Sequence, residues 1–472
     1  MTTQNRRQFL QTAAVAASPI RAMQAPAILS GKPRYNLLFL MSDQHQKAAA
    51  GCYGNREVKT PHLDSLAAES TRFTGAYCPS PVCVPSRGSL VTGLYAHKHG
   101  ARILQDALPA DIPTIGHFFA ERGYSTGAIG KMHFVDESRK HGFQHRLNEE
   151  VFRQQMPADA RQRVRALLGD SGGIDGVGLD LGPEYFDDNW FAAQAVDFLR
   201  AHRNKPFCLW ASFLQPHTPF RPMQRYFNLY SPQRLTLPRR PDNDLQDGFE
   251  GHLIRAKERG WYQQSDEDAR RSLAGYYGNI SQMDANLGTV YDALRELGLH
   301  RNTVVVYTSD HGEMASAHRS YTKHNMFEES VAVPLMISVP DGQRGVRNEF
   351  IEQIDLFPTL ADLCGLEAAQ GLHGRSFANL MAGRAYTRRE FVYSEYWFCR
   401  TVFTRDNRYV GKPPLLMVRT DKYKLNYLSW ERCELYDLQQ DPGEFSNRID
   451  APELQDVRKE LTRIAERQLA LA

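Results

Sequence analysis

Cys83 stands in the segment Cys78-Pro79-Ser80-Pro81-Val82-Cys83-Val84-Pro85-Ser86-Arg87-Gly88-Ser89-Leu90, where a thiol is followed four residues later by an arginine. Pro79, Pro81 and Pro85 fix the approach of the chain, and the residues after Pro85 can start a helix. Cys83 would then occupy a helix N-terminus. Free backbone N–H groups and the positive end of the helix favour a thiolate or a bound anion there. Arg87, one turn on, can grip sulfate or phosphate oxygens with two parallel hydrogen bonds. A lone cysteine beside a helix cap is ordinarily a buried structural residue, and here the flanking residues weigh against that reading.

Two further stretches carry paired donors. Asp43-Gln44 and Asp310-His311 each follow an apolar run, and Asp43, Gln44 and Asp310 offer oxygen ligands that suit a hard divalent cation, with His311 a less usual partner for calcium. Lysines and histidines that could neutralise an anion or move a proton stand in Gly130-Lys131-Met132-His133, in Gln215-Pro216-His217-Thr218-Pro219-Phe220 and in Tyr321-Thr322-Lys323-His324-Asn325. Taken singly, each is more often a solvated or structural residue. His97, His99 and His324 read as structural, whereas His45, beside Gln44, could face a substrate. Asn279-Ile280-Ser281 has the form of a glycosylation sequon inside a helical pattern, and it carries little weight.

The elements that must hold these residues follow from the apolar pattern. Tyr35 to Met41 and Thr303 to Thr308 are continuous apolar runs that stop at Ser42-Asp43-Gln44 and Ser309-Asp310-His311, which is how doubly buried parallel strands end. Lys205 to Ala211 and Val333 to Val339 have the same character. Helical patterns lie between them at Pro61 to Glu69, Asn189 to Ala201 and Tyr276 to Leu297. The alternation predicts an α/β fold, a large mixed, mostly parallel sheet sandwiched by helices, with its ligand site outside the carboxyl ends of the strands. Residues 31–384 form this catalytic domain. Over 385–472 the pattern turns to short alternating segments, Glu390 to Glu395, Leu416 to Arg419 and Tyr423 to Tyr427, then a helix from about Pro452. That predicts a smaller C-terminal subdomain of antiparallel sheet plus helix. Residues 148–190 and 222–265, rich in Gly, Pro, Arg and Asp, read as long surface excursions of the kind that shape specificity.

The whole chain of 472 residues is 42% hydrophobic and 24% charged, the balance of an ordinary globular protein with ample core. A net charge of +3 with dispersed Lys and Arg points to no nucleic-acid partner, so an anionic substrate must be gripped locally. Seven cysteines show no C-x-x-C pair and no zinc-like spacing. Residues 1–30 open with Arg6-Arg7-Gln8-Phe9-Leu10 and an alanine-rich apolar stretch, which reads as a twin-arginine export signal and predicts a periplasmic or extracellular protein. No later run reaches the roughly 20 residues that span a bilayer, so no membrane span is expected.

The C-x-P-S-R motif at Cys83, continued by Leu90-Val91-Thr92-Gly93, resembles the signature of the formylglycine-dependent sulfatases of the alkaline phosphatase superfamily. Glu434-Leu435-Tyr436-Asp437-Leu438-Gln439-Gln440-Asp441-Pro442 is similar to that family's C-terminal segment, so the likeness covers almost the whole chain after the signal. The resemblance implies an alkaline-phosphatase-like fold and sulfate ester hydrolysis. It also implies that Cys83 is oxidised to an aldehyde, 3-oxoalanine, by a formylglycine-generating enzyme. The aldehyde's hydrate attacks sulfur, and its second hydroxyl later expels sulfate. Asp43, Gln44, Asp310, His311 and the modified Cys83 would hold the metal, calcium in the first place, with manganese or magnesium as alternatives. Arg87 and Lys131 would neutralise sulfate charge, His133 would hydrogen-bond the formylglycine hydroxyl and take its proton, and His217 or Lys323 would protonate the leaving oxygen. Lys323 would bridge sulfate and leaving group. Export and long loops point to a sulfated carbohydrate. The alternatives are a phosphonate or phosphate ester hydrolase of the same superfamily, or an exported glycan- or anion-binding protein in which Cys83 stays a thiol.

Overall fold

The computed structural model describes residues 34–168, 173–367, 370–399 and 407–470; the export signal expected over residues 1–30 lies outside them. Eight strands form the main sheet: β1 (Asn36–Asp43), β2 (Thr71–Tyr77), β3 (Ser125–Gly130), β4 (His145–Leu147), β5 (Phe207–Pro216), β6 (Thr303–Ser309), β7 (Leu335–Ser338) and β8 (Gly345–Glu352). Their order is β4-β3-β5-β1-β6-β7-β2-β8. All neighbouring pairs are parallel except the two made by β7, which runs against β6 and β2.

β1 lies at the centre and is buried along its whole length. Leu37, Phe39 and Met41 enter the core on one face, with the helices Ile115–Glu121 and Leu356–Leu363. Leu38 and Leu40 enter the core on the other, with Pro61–Ala68, Asp187–His202 and Asp266–Glu296. Successive residues of a strand point to opposite faces, so only an unbroken apolar run can serve two cores. Each fully buried Leu or Phe contributes roughly 1.5–3 kcal/mol.

A second sheet, β9 (Phe391–Tyr396), β10 (Leu415–Thr420), β11 (Tyr423–Tyr427) and β12 (Glu434–Asp437), is antiparallel in the order β12-β11-β10-β9. The helix Gln455–Leu469 packs on it through Leu461 and Ala465 against Leu416, Val418, Leu425 and Leu435. Glu395 at the end of β9 ties this sheet to the Cys83 segment: its N–H donates to the Pro79 carbonyl at 2.9 Å, and its carboxylate accepts from His97 N and Nδ1 at 2.7 and 2.8 Å.

Two sequence expectations change. The long helix begins at Asp266, ten residues before the apolar pattern becomes helical, because Ser265 caps it by accepting from Asp268 N and three acidic residues complement its N-terminus. The excursions at 148–190 and 222–265 contain the helices Glu149–Gln155, Ala158–Leu168 and Glu250–Glu258. The first of these is capped by Asn148, whose side chain accepts from Val151 N at 3.1 Å. No helix among the described residues is long and apolar enough to cross a membrane.

Candidate active site

The carboxyl ends of four adjacent parallel strands deliver the polar residues to one place. Asp43 ends β1, and Asp310 follows β6, whose Ser309 pairs with Ser42 in register. Lys131 follows β3 and His217 follows β5. Facing them is the helix Cys83–Thr92, entered from the extended residue Val82, so Cys83 is its first residue and carries no side-chain cap above it.

Cys83 Sγ lies 3.1 Å from His311 Nε2 and 3.7 Å from Asp43 Oδ1. Ligand atoms of Asp43, Cys83, Asp310 and His311 all fall within 4.8 Å of one another, and all four residues are buried. His311 Nδ1 donates to the Gly312 carbonyl at 3.0 Å, which leaves Nε2 as the lone pair that faces the cluster. Arg87 donates from Nε to Asp310 Oδ2 at 2.8 Å and from Nη2 to Asp43 Oδ2 at 3.3 Å. Its Nη1 donates to Ser212 Oγ at 2.9 Å and to the Lys131 carbonyl. Lys131 Nζ is ion-paired with Asp43. Lys323 Nζ donates to Gln44 Oε1 and lies 2.8 Å from His217 Nε2. His217 Nδ1 donates to the Thr218 carbonyl at 2.7 Å, so its Nε2 is the acceptor toward Lys323. His133, half-buried, hydrogen-bonds the Cys83 side chain.

These contacts set the protonation states. Burial opposes ionisation of Cys83, yet Lys323, Lys131 and His311, with the hydrogen bond to His133, hold its thiol well below the ordinary range. Burial and the neighbouring Cys83 likewise oppose a charge on Asp43, and Lys131, His217 and Arg87 outweigh them and depress its carboxyl. His217 is pushed down by burial and then by the charge of Lys323. His311 moves the other way: burial opposes its charge, but Asp310 and Cys83 raise it. The site is therefore built from compensated charge, with carboxylates and an imidazole of the kind that suit a hard cation beside a guanidinium and two ammonium groups of the kind that suit an anion.

Every expected site residue lies in this contact network. Of the other histidines, His45 and His99 are structural. His45 Nδ1 meets the Tyr307 hydroxyl at 2.6 Å and Nε2 the Ala49 carbonyl at 2.9 Å, so it faces the core and not a substrate; burial pushes it down to about 4. His99 is pushed down by burial to about 3 and contacts Ser89 Oγ at 3.0 Å. Asn279 is buried, and its Nδ2 donates to the Pro219 carbonyl at 3.0 Å, which keeps it from a glycan. That contact steadies the turn carrying His217, and Asp188 does the same by accepting from Leu214 N and Gln215 N at 2.7 and 2.8 Å. Neither role had a signal in the sequence, since both act on backbone brought close only by folding. Glu313, also unassigned from sequence, accepts from Gln44 Nε2. Cys52, Cys78, Cys83, Cys208, Cys364 and Cys433 form no disulfide.

Known proteins resemble this chain over nearly its whole described length. Residues 35–366 match the sulfatase family model, and residues 316–469 match the model described as N-sulphoglucosamine sulphohydrolase, C-terminal. The chain is 30% identical over 451 residues to a choline-sulfatase of Rhizobium meliloti, covering 90% of this chain and 83% of that one. Among solved structures, the phosphonate monoester hydrolase of Agrobacterium radiobacter aligns with a TM-score of 0.78 at 23% identity, covering 93% of this chain and 96% of that one. A structure determined in complex with its substrate D-glucosamine-2-N,6-O-disulfate aligns with a TM-score of 0.74 at 21% identity, covering 93% and 98%.

Proposed function

The chain belongs to the sulfatase family and is a sulfuric ester hydrolase, and we propose that it removes sulfate from a sulfated carbohydrate with a nucleophile made by oxidising Cys83 to formylglycine. The observation that carries this reading is the position of Cys83, first in its helix and within 4.8 Å of the ligand atoms of Asp43, Asp310 and His311. The donor set fits a metal: two carboxylates and an imidazole nitrogen kept free by the Gly312 contact. Asp43, Asp310 and His311, with Gln44 Oε1, would hold a divalent cation, calcium in this reading in preference to manganese or magnesium. When bound, the cation would favour ionisation of the formylglycine hydrate and draw charge from a sulfate oxygen.

The protein's own groups do the rest. Arg87 and Lys131 already stand against the carboxylates and supply positive charge where sulfate oxygens must sit. His133 is within reach of the Cys83 side chain to take its proton. Lys323 Nζ donates across 2.8 Å to His217 Nε2, whose other ring nitrogen already donates to the Thr218 carbonyl, so Lys323 is the group placed to deliver a proton to the leaving oxygen. The carbohydrate half of the proposal is supported by the sugar-sulfatase description of the C-terminal match and by the structural neighbour bound to a sulfated glucosamine. Export by the Arg6-Arg7 signal is part of the same proposal, with Cys83 oxidised in the cytoplasm first by a formylglycine-generating enzyme.

The test is mass spectrometry of the tryptic peptide carrying Cys83, from protein made in its native host. An aldehyde is expected, already present in the cytoplasmic precursor. An unaltered thiol in active protein overturns the covalent reading. Screening sulfated sugars beside choline sulfate and aryl sulfates then tests the substrate class.

A further inference from the structure

Glu313 reaches the reaction centre through another side chain. It is fully buried three residues after Asp310. Its Oε1 accepts from the backbone N–H groups of Ala315 at 2.9 Å and Thr322 at 2.5 Å. Its Oε2 accepts from Gln44 Nε2. Gln44 Oε1 in turn accepts from Lys323 Nζ, which lies 2.8 Å from His217 Nε2. One continuous chain of hydrogen bonds thus runs from Glu313 through Gln44 and Lys323 to His217.

The sense of the Gln44 amide decides what this chain can do. An amide NH2 only donates and an amide oxygen only accepts, an ionised carboxylate only accepts, and an ammonium only donates. Between Glu313 and Lys323, Gln44 has a single satisfied orientation, with NH2 toward the carboxylate and oxygen toward the lysine. Turned by half a rotation, it would set oxygen against oxygen and NH2 against ammonium, and all three side chains are buried. The backbone adds a second constraint. Gln44 has φ 68°, and Lys323 is flanked by Thr322 at φ 64° and His324 at φ 79°. Left-handed conformations of this kind in non-glycine residues persist only where the surroundings over-determine them. The Thr322 N–H held by Glu313 is one such contact, and Arg255, which donates to the Lys323 carbonyl and to Thr322 Oγ1, supplies two more.

We propose that Glu313 is a positioning residue: it sets the amide sense of Gln44, so that Oε1 is always the acceptor presented to the reaction centre, and through Thr322 it fixes the stretch from which Lys323 projects. The inference rests on the sulfatase reading for its activity and metal readouts.

The experiment is a swap. In Glu313→Gln, the new amide oxygen can keep the Thr322 and Ala315 contacts, but its NH2 meets the NH2 of Gln44, and Gln44 must rotate. In the double variant Gln44→Glu with Glu313→Gln, the carboxylate at 44 accepts from the amide at 313 and from Lys323, with total charge unchanged. Three readouts on the full chain are calcium affinity by calorimetric titration, kcat and KM on an aryl sulfate, and urea unfolding without metal or substrate. Glu313→Gln should lose roughly 10- to 100-fold in calcium affinity and in kcat, with KM little changed, and the swap should regain at least tenfold of each. The unfolding cycle should show the same recovery. Wild-type behaviour of Glu313→Gln overturns the proposal, as does a swap no better than the single variant. If the single variant fails to fold, a folded and active swap supports the proposal and an unfolded swap refutes it. A wild-type chain that cleaves no sulfate ester counts against the proposed function alone, because the unfolding cycle reads the 44–313 pairing independently.

Discussion

Replacing Lys323 by methionine separates the two tasks proposed for its ammonium. Nζ lies 2.8 Å from His217 Nε2, and the other ring nitrogen donates to the Thr218 carbonyl at 2.7 Å, so the shared proton belongs to the lysine. An alkyl or sugar sulfate releases an alkoxide, which needs that proton. Losing a positioned acid costs about 10²- to 10⁴-fold, or about 3–5 kcal/mol of transition-state stabilisation at roughly 1.4 kcal/mol per decade. A nitrophenyl sulfate releases a stable anion and needs no proton. It suffers only the loss of positive charge, which both substrates share and which cancels in their ratio. The assay is kcat/KM for the two ester types with wild type and Lys323→Met, and the alkyl-to-aryl ratio should fall by roughly 100-fold or more. Equal losses on both would refute the protonation role. The pH profile gives an independent sign. Burial and, after it, the charge of Lys323 hold His217 below its ordinary value. Without the lysine, the protonated imidazole is favoured and its pKa rises. Residual alkyl sulfate cleavage by the variant should therefore increase as the pH falls toward 6, the pH range of an ordinary imidazole, and a flat profile would remove His217 as a reserve acid.

Three other outcomes are expected. Arg389 is buried between Asp355, 2.9 Å from its Nε, and Glu352, 3.4 Å from its Nη1, so Arg389→Met should cost about 3–5 kcal/mol in urea unfolding. Burial pushes the Glu352 carboxyl up and Arg389 restrains it; without the arginine the folded form takes a proton more readily than the unfolded chain, so the deficit should shrink, not grow, as the pH falls through the folded pKa. Chelation should abolish sulfate ester hydrolysis and lower the unfolding free energy by about 2.7 kcal/mol relative to protein held at a calcium concentration of about 100 Kd, both reversed by added calcium; an unchanged midpoint and rate would remove the cation from the reading. Paired kinetics on aryl sulfate and aryl phosphate or phosphonate esters should favour sulfate, and a reversed preference would assign the site to the phosphonate hydrolases that share the fold.

The reacting groups were legible in the sequence because they sit where strands stop. An apolar run that serves two cores must end in polar residues, so Asp43 and Asp310 announced both a strand end and a candidate ligand. Arg87 was tied to Cys83 by one helical turn. What stayed hidden was set by packing between distant segments. β3 is Ser125-Thr126-Gly127-Ala128-Ile129-Gly130, with little of the bulk that marks a strand, and the fold explains why. A Cβ on Gly127 would come within 2.7 Å of the Phe198 ring, and one on Gly130, at φ 93°, within 1.8 Å of the Ser212 carbonyl oxygen. The strand that delivers Lys131 is small because the helix packed on it and the backbone of neighbouring β5 are both close. The same holds for the groups that hold the site in place. Asp188 grips backbone 26 residues on, and Glu313 meets a side chain 269 residues away. Asp188 has no periodicity and no neighbour in the sequence that betrays it, and Glu313, although it stands three residues past Asp310, gives no sign there of the Gln44 side chain it holds. Polar residues that are buried, fully hydrogen-bonded and outside every recognised motif are therefore the places where this fold keeps its remaining control over the chemistry.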